Sequence, residues 1–449
     1  MKKIFQYIML AVVTIVMASC TSDIEETTAT TGKSNVQLVV GEFPAFGDSQ
    51  TRAIGTPDEG KTSWAEGDEL ILEIAKTSYG RHSATFTYNG KSWELTSGEL
   101  VYLEGDPAYI PHVYYAPNYK WEAGKLVLKE GKDPGTDEYI EGNARITGNS
   151  ETITVSFAEA TRKYSRLRIA TLPNEQITVD TEYFTPAGSS DMEQEGNYTL
   201  TSDEKGNAYL YGTFENNSEV TVKYREAALT TYTFSQATES AKSYALDATV
   251  ISANSSEEIK SAIEQKVADG KTTIRLNLAP NAGTNEFMAI REAIKGAAPN
   301  DLGTIELTII GVETIPEEAF YKMLQLKSVR MSDVKEIKKY AFKECQYLTV
   351  VEAPSLNKLY SGAFKKCDQL SKLTFGPINY ADARNWPIFE YITPNIDLIL
   401  SDYQKEMIET DSYLYTANND RDYAGSDEHN SKNFLGREFR SITCRYKVK

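Results

Sequence analysis

The strongest constraint on the fold is a 22-residue repeat toward the C-terminal end of the chain. Three consecutive segments, 312–333, 334–355 and 356–377, place apolar residues at the same positions. Because one unit of this length cannot bury its apolar side alone, neighbouring units must stack and share a core. The sequence therefore predicts a solenoid. The matching positions are Val312/Val334/Leu356, Ile315/Ile337/Leu359, Phe320/Phe342/Phe364, Leu326/Leu348/Leu370 and Val329/Val351/Leu373.

The repeat also carries a recognisable local frame. "KKYAFKECQYL" (338–348) and "YSGAFKKCDQL" (360–370) share the order AF, C, L, which closely resembles the BspA-like leucine-rich repeats of bacterial surface proteins. A capped helix is predicted over 255–270, and further strands are predicted on both sides of the three units. The resemblance implies an α/β leucine-rich-repeat domain with terminal caps over 251–449.

Two cysteines, Cys345 and Cys367, occupy one position of consecutive units, where the first unit has Met323. Stacked units can bring Cα atoms within the ~4.4–6.8 Å of a disulfide, and an exported protein permits oxidation. A metal site would need more ligands, but Cys444 is remote and the three histidines are scattered. The column of Met, Cys and Cys favours buried free thiols, with a disulfide left open.

The predicted strands of the repeat also define an exposed face. Residues between the inward apolar positions point outward, and solenoids commonly bind partners on such an extended surface. An absence of constraint from solvent explains their variety equally well. These candidate ligand-contacting residues are Ser328, Val350 and Lys372 in one column, and Arg330, Glu352 and Thr374 in the next.

The N-terminal segment is predicted to be a targeting signal. Residues 1–19 have the basic start and apolar run of a secretory signal peptide. "MASC" (17–20) resembles the bacterial lipobox, which implies that Cys20 becomes a lipidated N-terminus. Residues 20–34 are polar and threonine-rich, as in a flexible tether. Their acidic residues resemble a Bacteroidota surface-export signal, which implies a lipid-anchored protein on the cell surface at the outer membrane.

The middle of the chain alternates apolar and polar residues with a period of two. "TITVSF" (152–157) and "SEVTVKY" (218–224) are typical strands, and Asn89-Gly90 in "TFTYNGKSW" (85–93) predicts a hairpin. Many short strands with turn signals between them favour sandwiches. The absence of a core pattern near 147–150 predicts a domain boundary there.

This region resembles the fimbrillin-like (Mfa-like, type V pilin) family of Bacteroidota lipoproteins. The ordered matches include "SWAEGDELIL" (63–72), "VSFAEATRKYSRLRI" (155–169) and "GNAYLYG" (206–212). Glu159 departs from the family, which often has histidine there. The resemblance implies two tandem antiparallel β-sandwiches, over 35–148 and 149–250.

Catalytic and cofactor motifs are missing from the sequence. It has no glycine-rich phosphate loop, no HExxH and no GxSxG. The segment 420–431 begins like a calcium loop but has Ser431 where a glutamate is needed. A net charge of −17 argues against nucleic acid or anionic lipid surfaces as partners. We therefore expect no metal, no cofactor and no enzymatic activity.

Three functions fit these patterns. The first is adhesion by a cell-surface lipoprotein whose repeats bind a host or bacterial surface protein or a glycan. The second is a fimbrial tip or accessory subunit that contacts other fimbrial subunits. Resemblance to related pilins makes Arg52 the candidate cleavage position, although an ordinary strand residue is the simpler explanation. The third is a glycan-capture component of a nutrient-uptake system.

Overall fold

The computed structural model describes residues 33–34, 37–48, 61–76, 80–100, 109–147, 152–156, 162–253, 255–381, 388–392, 395–401, 433–435 and 437–446. The predicted signal peptide, Cys20, Arg52 and the calcium-like loop at 420–431 lie outside these residues. Neither helix of the described chain is long and apolar enough to cross a membrane.

The elements follow one another in chain order. Strands β1 to β11 are Lys33–Ser34, Gln37–Val40, Gly47–Asp48, Glu69–Lys76, Gly80–Tyr88, Trp93–Leu100, Tyr109–Tyr115, Tyr119–Glu122, Lys125–Leu128, Ile140–Thr147 and Thr152–Ser156. Strands β12 to β19 are Ser165–Ala170, Gln176–Pro186, Glu193–Thr201, Asn207–Phe214, Glu219–Tyr224, Ala227–Thr233, Lys242–Asp247 and Ile251–Ala253.

The repeat region contains both helices and the remaining strands. Helix α1 is Ser256–Ala268, β20 is Thr273–Leu278, α2 is Thr284–Ala297 and β21 is Ile305–Ile310. Strands β22 to β29 are Thr314–Ile315, Leu326–Met331, Glu336–Ile337, Val350–Ala353, Lys358–Leu359, Lys372–Phe375, Tyr380–Ala381 and Asp397–Ser401. Strands β30 to β32 are Asn433–Phe434, Arg437–Glu438 and Ser441–Tyr446.

The chain divides into two compact units. The first unit comprises Met1–Pro44, Lys61–Lys129 and Ile140–Thr161, and the second comprises Ala45–Gly60, Glu130–Tyr139 and Arg162–Lys449. The first unit contains an eight-stranded sheet in the order β1-β6-β5-β4-β7-β10-β11-β2. Its predicted hairpin is confirmed, since β5 and β6 pair antiparallel around the turn at Asn89 and Gly90.

The predicted domain boundary between 148 and 149 is wrong, because β10 and β11 pair with each other in the first sheet. The inward residues of β11, Ile153 and Val155, belong to the first unit's core. A local loss of apolar pattern at 147–150 therefore marks a turn between neighbouring strands. The first unit continues through Thr161.

The second sheet has the order β17-β16-β13-β15-β12-β18-β3, and β14 pairs with β13 beside it. Most pairs are antiparallel, but β12 pairs parallel with β18, and β18 with β3. The first sheet likewise contains the parallel pairs β1/β6 and β11/β2. The two sheets are therefore mixed, whereas the fimbrillin-like resemblance implied antiparallel sandwiches. Alternation shows which side of a strand is buried but does not show the direction of its neighbour.

A buried ion pair lies beside the second sheet. Arg162 donates a hydrogen bond to Glu138, and both side chains are almost fully buried. The Arg162 guanidinium stacks on the ring of Phe46 at 3.8 Å. The hydroxyl of Tyr164 also donates to Glu138, at 3.3 Å, and burial raises the Tyr164 pKa well above its ordinary value. The cluster joins segments that are distant in sequence.

The 22-residue units lie side by side in the second unit of the structure. Strands β19-β20-β21-β23-β25-β27-β29-β32 form an eight-stranded, wholly parallel sheet, and β22-β24-β26-β28 form a four-stranded parallel sheet. Neighbouring strands pair one period apart, as in Val329 with Val351 and Val351 with Leu373. The predicted stacking of the three units is confirmed by this register.

Aromatic rings in the core stack from one unit to the next. Phe320 and Phe342 stack with ring centroids 5.1 Å apart, and Phe342 and Phe364 stack at 5.3 Å. Phe389 continues the stack at 5.6 Å from Phe364. The amides of Phe320, Phe342 and Phe364 also donate to the following unit, as from Phe342 to the carbonyl of Ala363 at 2.8 Å. One column of the core is thus bonded through both side chains and backbone.

The two repeat cysteines are buried free thiols, as the column of apolar residues predicted. The sulfur of Cys345 donates to the carbonyl of Phe320 at 3.0 Å, and that of Cys367 donates to Phe342 at the same distance. Burial raises the pKa of Cys345 to about 12 and raises that of Cys367 well above its ordinary value. Both thiols are therefore neutral, and each satisfies a carbonyl in the preceding unit.

Two helices, α1 and α2, precede the first regular unit of the stack. The Ser255 side chain caps α1 by accepting from the amide of Glu258 at 3.2 Å, as predicted. Phe287 of α2 packs edge-on against Phe320 with centroids 5.6 Å apart. Ring contact thus passes from the helix into the first regular unit, and α2 covers the apolar end of the core.

Candidate ligand-binding face of the repeat sheet

Strands β20 to β32 of the long sheet carry two in-register columns of outward residues, which we call the outer face. Between the columns lies an inward row that includes Leu307, Val329 and Val351, all buried. The first column is Thr273, Glu306, Ser328, Val350, Lys372, Asp397 and Ser441. The second column is Arg275, Thr308, Arg330, Glu352, Thr374, Ile399 and Thr443.

The six residues chosen from the sequence all lie on the outer face. Lys372 is exposed, whereas Ser328, Arg330, Val350, Glu352 and Thr374 are partly exposed. They form two adjacent rows of three across β23, β25 and β27. Parallel strands lie about 4.8 Å apart, so each row extends only about 10 Å.

Sequence reasoning missed the residues that extend these rows on both sides. Thr273, Arg275, Glu306 and Thr308 precede them, and Asp397 begins the strand that follows Lys372. The strands themselves were predicted, but the 22-residue spacing breaks down beyond the three units. Alternation within "TTIRLNLA", "TIELTII" and "NIDLILS" was the available signal for the outward residues.

Charges on the outer face are largely arranged in neighbouring pairs. Arg330 donates to Glu352 at 2.9 Å on the adjacent strand, and Lys327 contacts Glu306 at 2.7 Å. Such partly exposed pairs each contribute about 0–1 kcal/mol to stability. Their main effect is therefore to hold each charged group at a defined position. Positive and negative groups alternate from strand to strand across the face.

A stronger ion pair ends the face at its C-terminal side. Arg440 donates through Nε to Asp397 at 2.7 Å and also through Nη2, and the Ser441 hydroxyl donates to the same carboxylate at 2.7 Å. Hydrogen bonds from Arg440 and Ser441 lower the pKa of Asp397 to about 2. Asp397 is therefore ionised throughout the physiological range, and this end of the face is rigidly held.

Metal binding has no support in the described part of the chain. Among those residues there is no group of three or more histidine, cysteine or acidic side chains that could hold an ion. The outer face offers hydroxyls, guanidinium groups, ammonium groups and carboxylates. This set is suited to hydrogen bonding and ion pairing with a ligand rather than to covalent chemistry.

Part of the repeat region matches a known family model. Residues 302–410 match the BspA type leucine-rich-repeat region. The match comprises six copies and covers about a quarter of the chain. It therefore extends beyond the three units found by inspection, on both sides. No curated protein matches the chain significantly.

Two solved structures resemble parts of the chain only distantly. A candidate cell adhesion protein from Bacteroides fragilis NCTC 9343 shares 10% identity with a TM-score of 0.22, covering 49% of this chain and 91% of that one. The minor pilin GBS52 of Streptococcus agalactiae shares 10% identity with a TM-score of 0.16, covering 48% of this chain and 94% of that one. Similarity this low carries no functional argument.

Proposed function

We propose that this protein is a cell-surface adhesion protein in which the outer face of a leucine-rich-repeat solenoid binds a partner without catalysis. The partner class is a surface protein or glycan of a host or of another bacterium. The BspA type match over 302–410 supports the solenoid interpretation of the parallel sheets. The proposal depends on the outer face acting as a contact surface.

The observation that carries this proposal is the contrast between the two sides of the long sheet. Inward positions repeat the same apolar chemistry, whereas outward positions change from strand to strand. The column Ser328, Val350, Lys372 offers a hydroxyl, an apolar group and a cation in register. A rigid backbone that presents varied side chains at fixed spacing suits recognition, because little conformational entropy is lost on binding.

The remaining parts of the proposal concern presentation of the repeats. We infer that the two mixed sheets are fimbrillin-like sandwiches and that Cys20 carries lipid that anchors the protein at the outer membrane. The order of fimbrillin-like motifs from 63–72 to 206–212 and the lipobox-like "MASC" support these inferences. More than one acyl chain would be needed for stable anchoring. Labelling cells with radioactive palmitate tests this, since Cys20→Ala should remove the label.

The adhesion proposal is tested by screening the full-length protein, in detergent solution, against arrays of extracellular-matrix proteins and surface glycans. We expect saturable capture on at least one array component, with the captured component chemically unchanged afterwards. Heat-unfolded protein is the control for non-specific adsorption. Absence of saturable capture on both arrays, or conversion of the captured component into a product, would overturn the proposal.

A further inference from the structure

The N-terminal end of the outer face closes into a small polar cavity. Its volume is about 170 Å³, and it is lined by residues of β20, β21 and β23 and by residues 229–231 of β17. All of these strands belong to the second unit. The wall residues that matter here are Arg275, Thr308, Arg330, Glu306, Thr273 and Ser328.

Arg275 is the most unusual residue in this wall because its charge is buried. Only 6% of the residue is exposed. Its Nε donates to the carbonyl of Leu229 at 2.6 Å, which fixes the guanidinium against β17. The only carboxylate paired with it in the described chain is Asp247, whose oxygen is 4.0 Å from Nη1 and thus beyond hydrogen-bond range.

The second guanidinium leaves donors available as well. The Nε of Arg330 donates to Glu352, and none of the described residues accepts a hydrogen bond from its terminal nitrogens. Burial lowers the pKa of Arg275, and the positive charge of Arg330 acts in the same direction, whereas Asp247 opposes both. Arg275 and Arg330 line the same cavity, and an anion bound there would be stabilised by both guanidinium groups.

The other groups of the wall argue for a ligand with hydroxyls in addition to its charge. Thr273, Thr308 and Ser328 contribute hydroxyls, which both donate and accept. Glu306 contributes acceptor oxygens, while its charge is balanced by Lys327 at 2.7 Å. The chain carries a net charge of −17, but charges farther than about 8 Å are screened at physiological ionic strength. Arg275 and Arg330 are in register on either side of Thr308, so the local charge of the cavity depends on these two guanidinium groups and their nearby carboxylates rather than on the net charge of the chain.

We propose that this cavity binds a sugar acid, a single pyranose ring whose carboxylate lies between Arg275 and Arg330. The ring hydroxyls would then face Glu306 and the threonine and serine side chains. The cavity volume suits one monosaccharide unit, such as the terminal residue of an acidic glycan. The inference names a ligand class for one end of the outer face and in that respect rests on the proposed function.

The test uses isothermal titration of the full-length protein with three soluble probes. Glucuronate has the ring and the carboxylate, glucose has the ring alone, and glutarate has carboxylates without ring hydroxyls. We expect glucuronate to bind at least about tenfold more tightly than either other probe, because charge-assisted and neutral hydrogen bonds act together. No binding of glucuronate, or equal affinity for glutarate or glucose, would overturn the proposal.

Matched variants locate the binding. Arg330→Gln removes one partly exposed guanidinium and is expected to weaken glucuronate at least about tenfold. Lys372→Gln removes the same charge from the outer face two strands away and should change affinity by less than about twofold. Arg275→Gln is less informative because Arg275 also bonds the carbonyl of Leu229 in β17. Circular dichroism must first show that Arg330→Gln is folded. Equal effects of Arg330→Gln and Lys372→Gln, or none of either, would overturn the assignment.

The two proposals fail in different ways. Array capture that persists without any glucuronate binding removes the cavity assignment and leaves the adhesion proposal standing. Glucuronate binding without array capture removes the adhesion proposal and leaves the cavity as a small-molecule site.

Discussion

Replacing Phe342 with alanine should destabilise the repeat region strongly, because this ring is the middle of the aromatic stack. The side chain is fully buried and stacks on Phe320 at 5.1 Å and on Phe364 at 5.3 Å. Truncation of a buried phenylalanine costs about 3–5 kcal/mol through lost transfer energy and the cavity left behind. Each aromatic pair contributes about 0.5–1.5 kcal/mol beyond its buried area. The measured range for such truncations already includes the lost ring contacts, so we expect its middle value, a loss of about 4 kcal/mol.

Native-state hydrogen exchange measures this effect locally, which is necessary because a chain with several sheets need not unfold in one step. Peptides spanning 340–366 contain the inter-unit amides of Phe342 and Phe364. A loss of about 4 kcal/mol corresponds to about a thousandfold faster exchange of these amides. Loss of a single inter-unit hydrogen bond would account for only about 1 kcal/mol, so an effect of this size indicates loss of ring packing.

Tyr391→Ala is the matched control, since it removes an aromatic ring from a residue that is 68% exposed. Tyr391 lies two residues after Phe389 of the stack. Its contacts are with Lys365 and Lys366 at 5.4 and 6.0 Å, and exposed cation–π contacts contribute about 0.5–1 kcal/mol. The control should therefore lose about 1 kcal/mol or less. A loss below about 1 kcal/mol for Phe342→Ala, or equal losses for both variants, would refute the stacked core.

Three further outcomes are expected from buried groups in the second unit. Arg162→Leu should lower the free energy of unfolding, measured by urea denaturation, by about 3–5 kcal/mol because the buried charge of Glu138 loses its guanidinium partner. Arg162→Leu/Glu138→Leu should recover most of this loss, and a double variant no more stable than the single one would contradict this. Burial raises the pKa of Cys345 from 9.0 to about 12, so the folded protein holds this thiol neutral over a wider pH range than the unfolded chain. The stability that this provides is complete below pH 9 and is lost as pH rises toward 12, by up to about 1.4 kcal/mol per pH unit. Cys345→Ala should show a slope smaller by that amount, with a residual slope from Cys367, whose pKa is also raised. Parallel curves of stability against pH for the two proteins would count against the assignment. Native Cys345 and Cys367 should react with a thiol reagent only as fast as the region opens, so immediate labelling would disprove their burial.

The sequence predicted most about the structure where one signal repeats at a fixed spacing. The period of 22 residues predicted the stacking and the pairing of Val329 with Val351. It favoured free thiols at Cys345 and Cys367, with a disulfide left open, and the thiols are free. Periodicity suffices there because each unit has the same partner, namely the next copy of itself. The six outward residues followed from strand alternation within that register.

Where partners differ from strand to strand, the sequence was less informative. The parallel pairs β12/β18 and β11/β2 join strands that are far apart along the chain, and alternation carries no information about pairing direction. The boundary predicted between 148 and 149 is too early because the loss of apolar pattern at 147–150 marks a turn between two paired strands. The cavity combines 229–231 with Arg275 and Arg330, so no local pattern encodes it. Arg275 itself occupies an ordinary polar position of the alternating strand "TIRLNL", so the sequence does not mark it as buried.

The most direct test of the outer face as the binding surface compares two double variants that leave net charge unchanged. Val350→Glu/Thr374→Lys alters the centre of the outer face, whereas Glu313→Lys/Lys335→Glu exchanges an exposed ion pair beside the four-stranded sheet. Surface plasmon resonance measures the dissociation constant of each for a component captured on the arrays. We predict at least about a tenfold loss for the outer-face variant, and a change below about twofold for the exchange, since surface substitutions away from the contact are nearly neutral. Unchanged affinity of the outer-face variant would contradict the account.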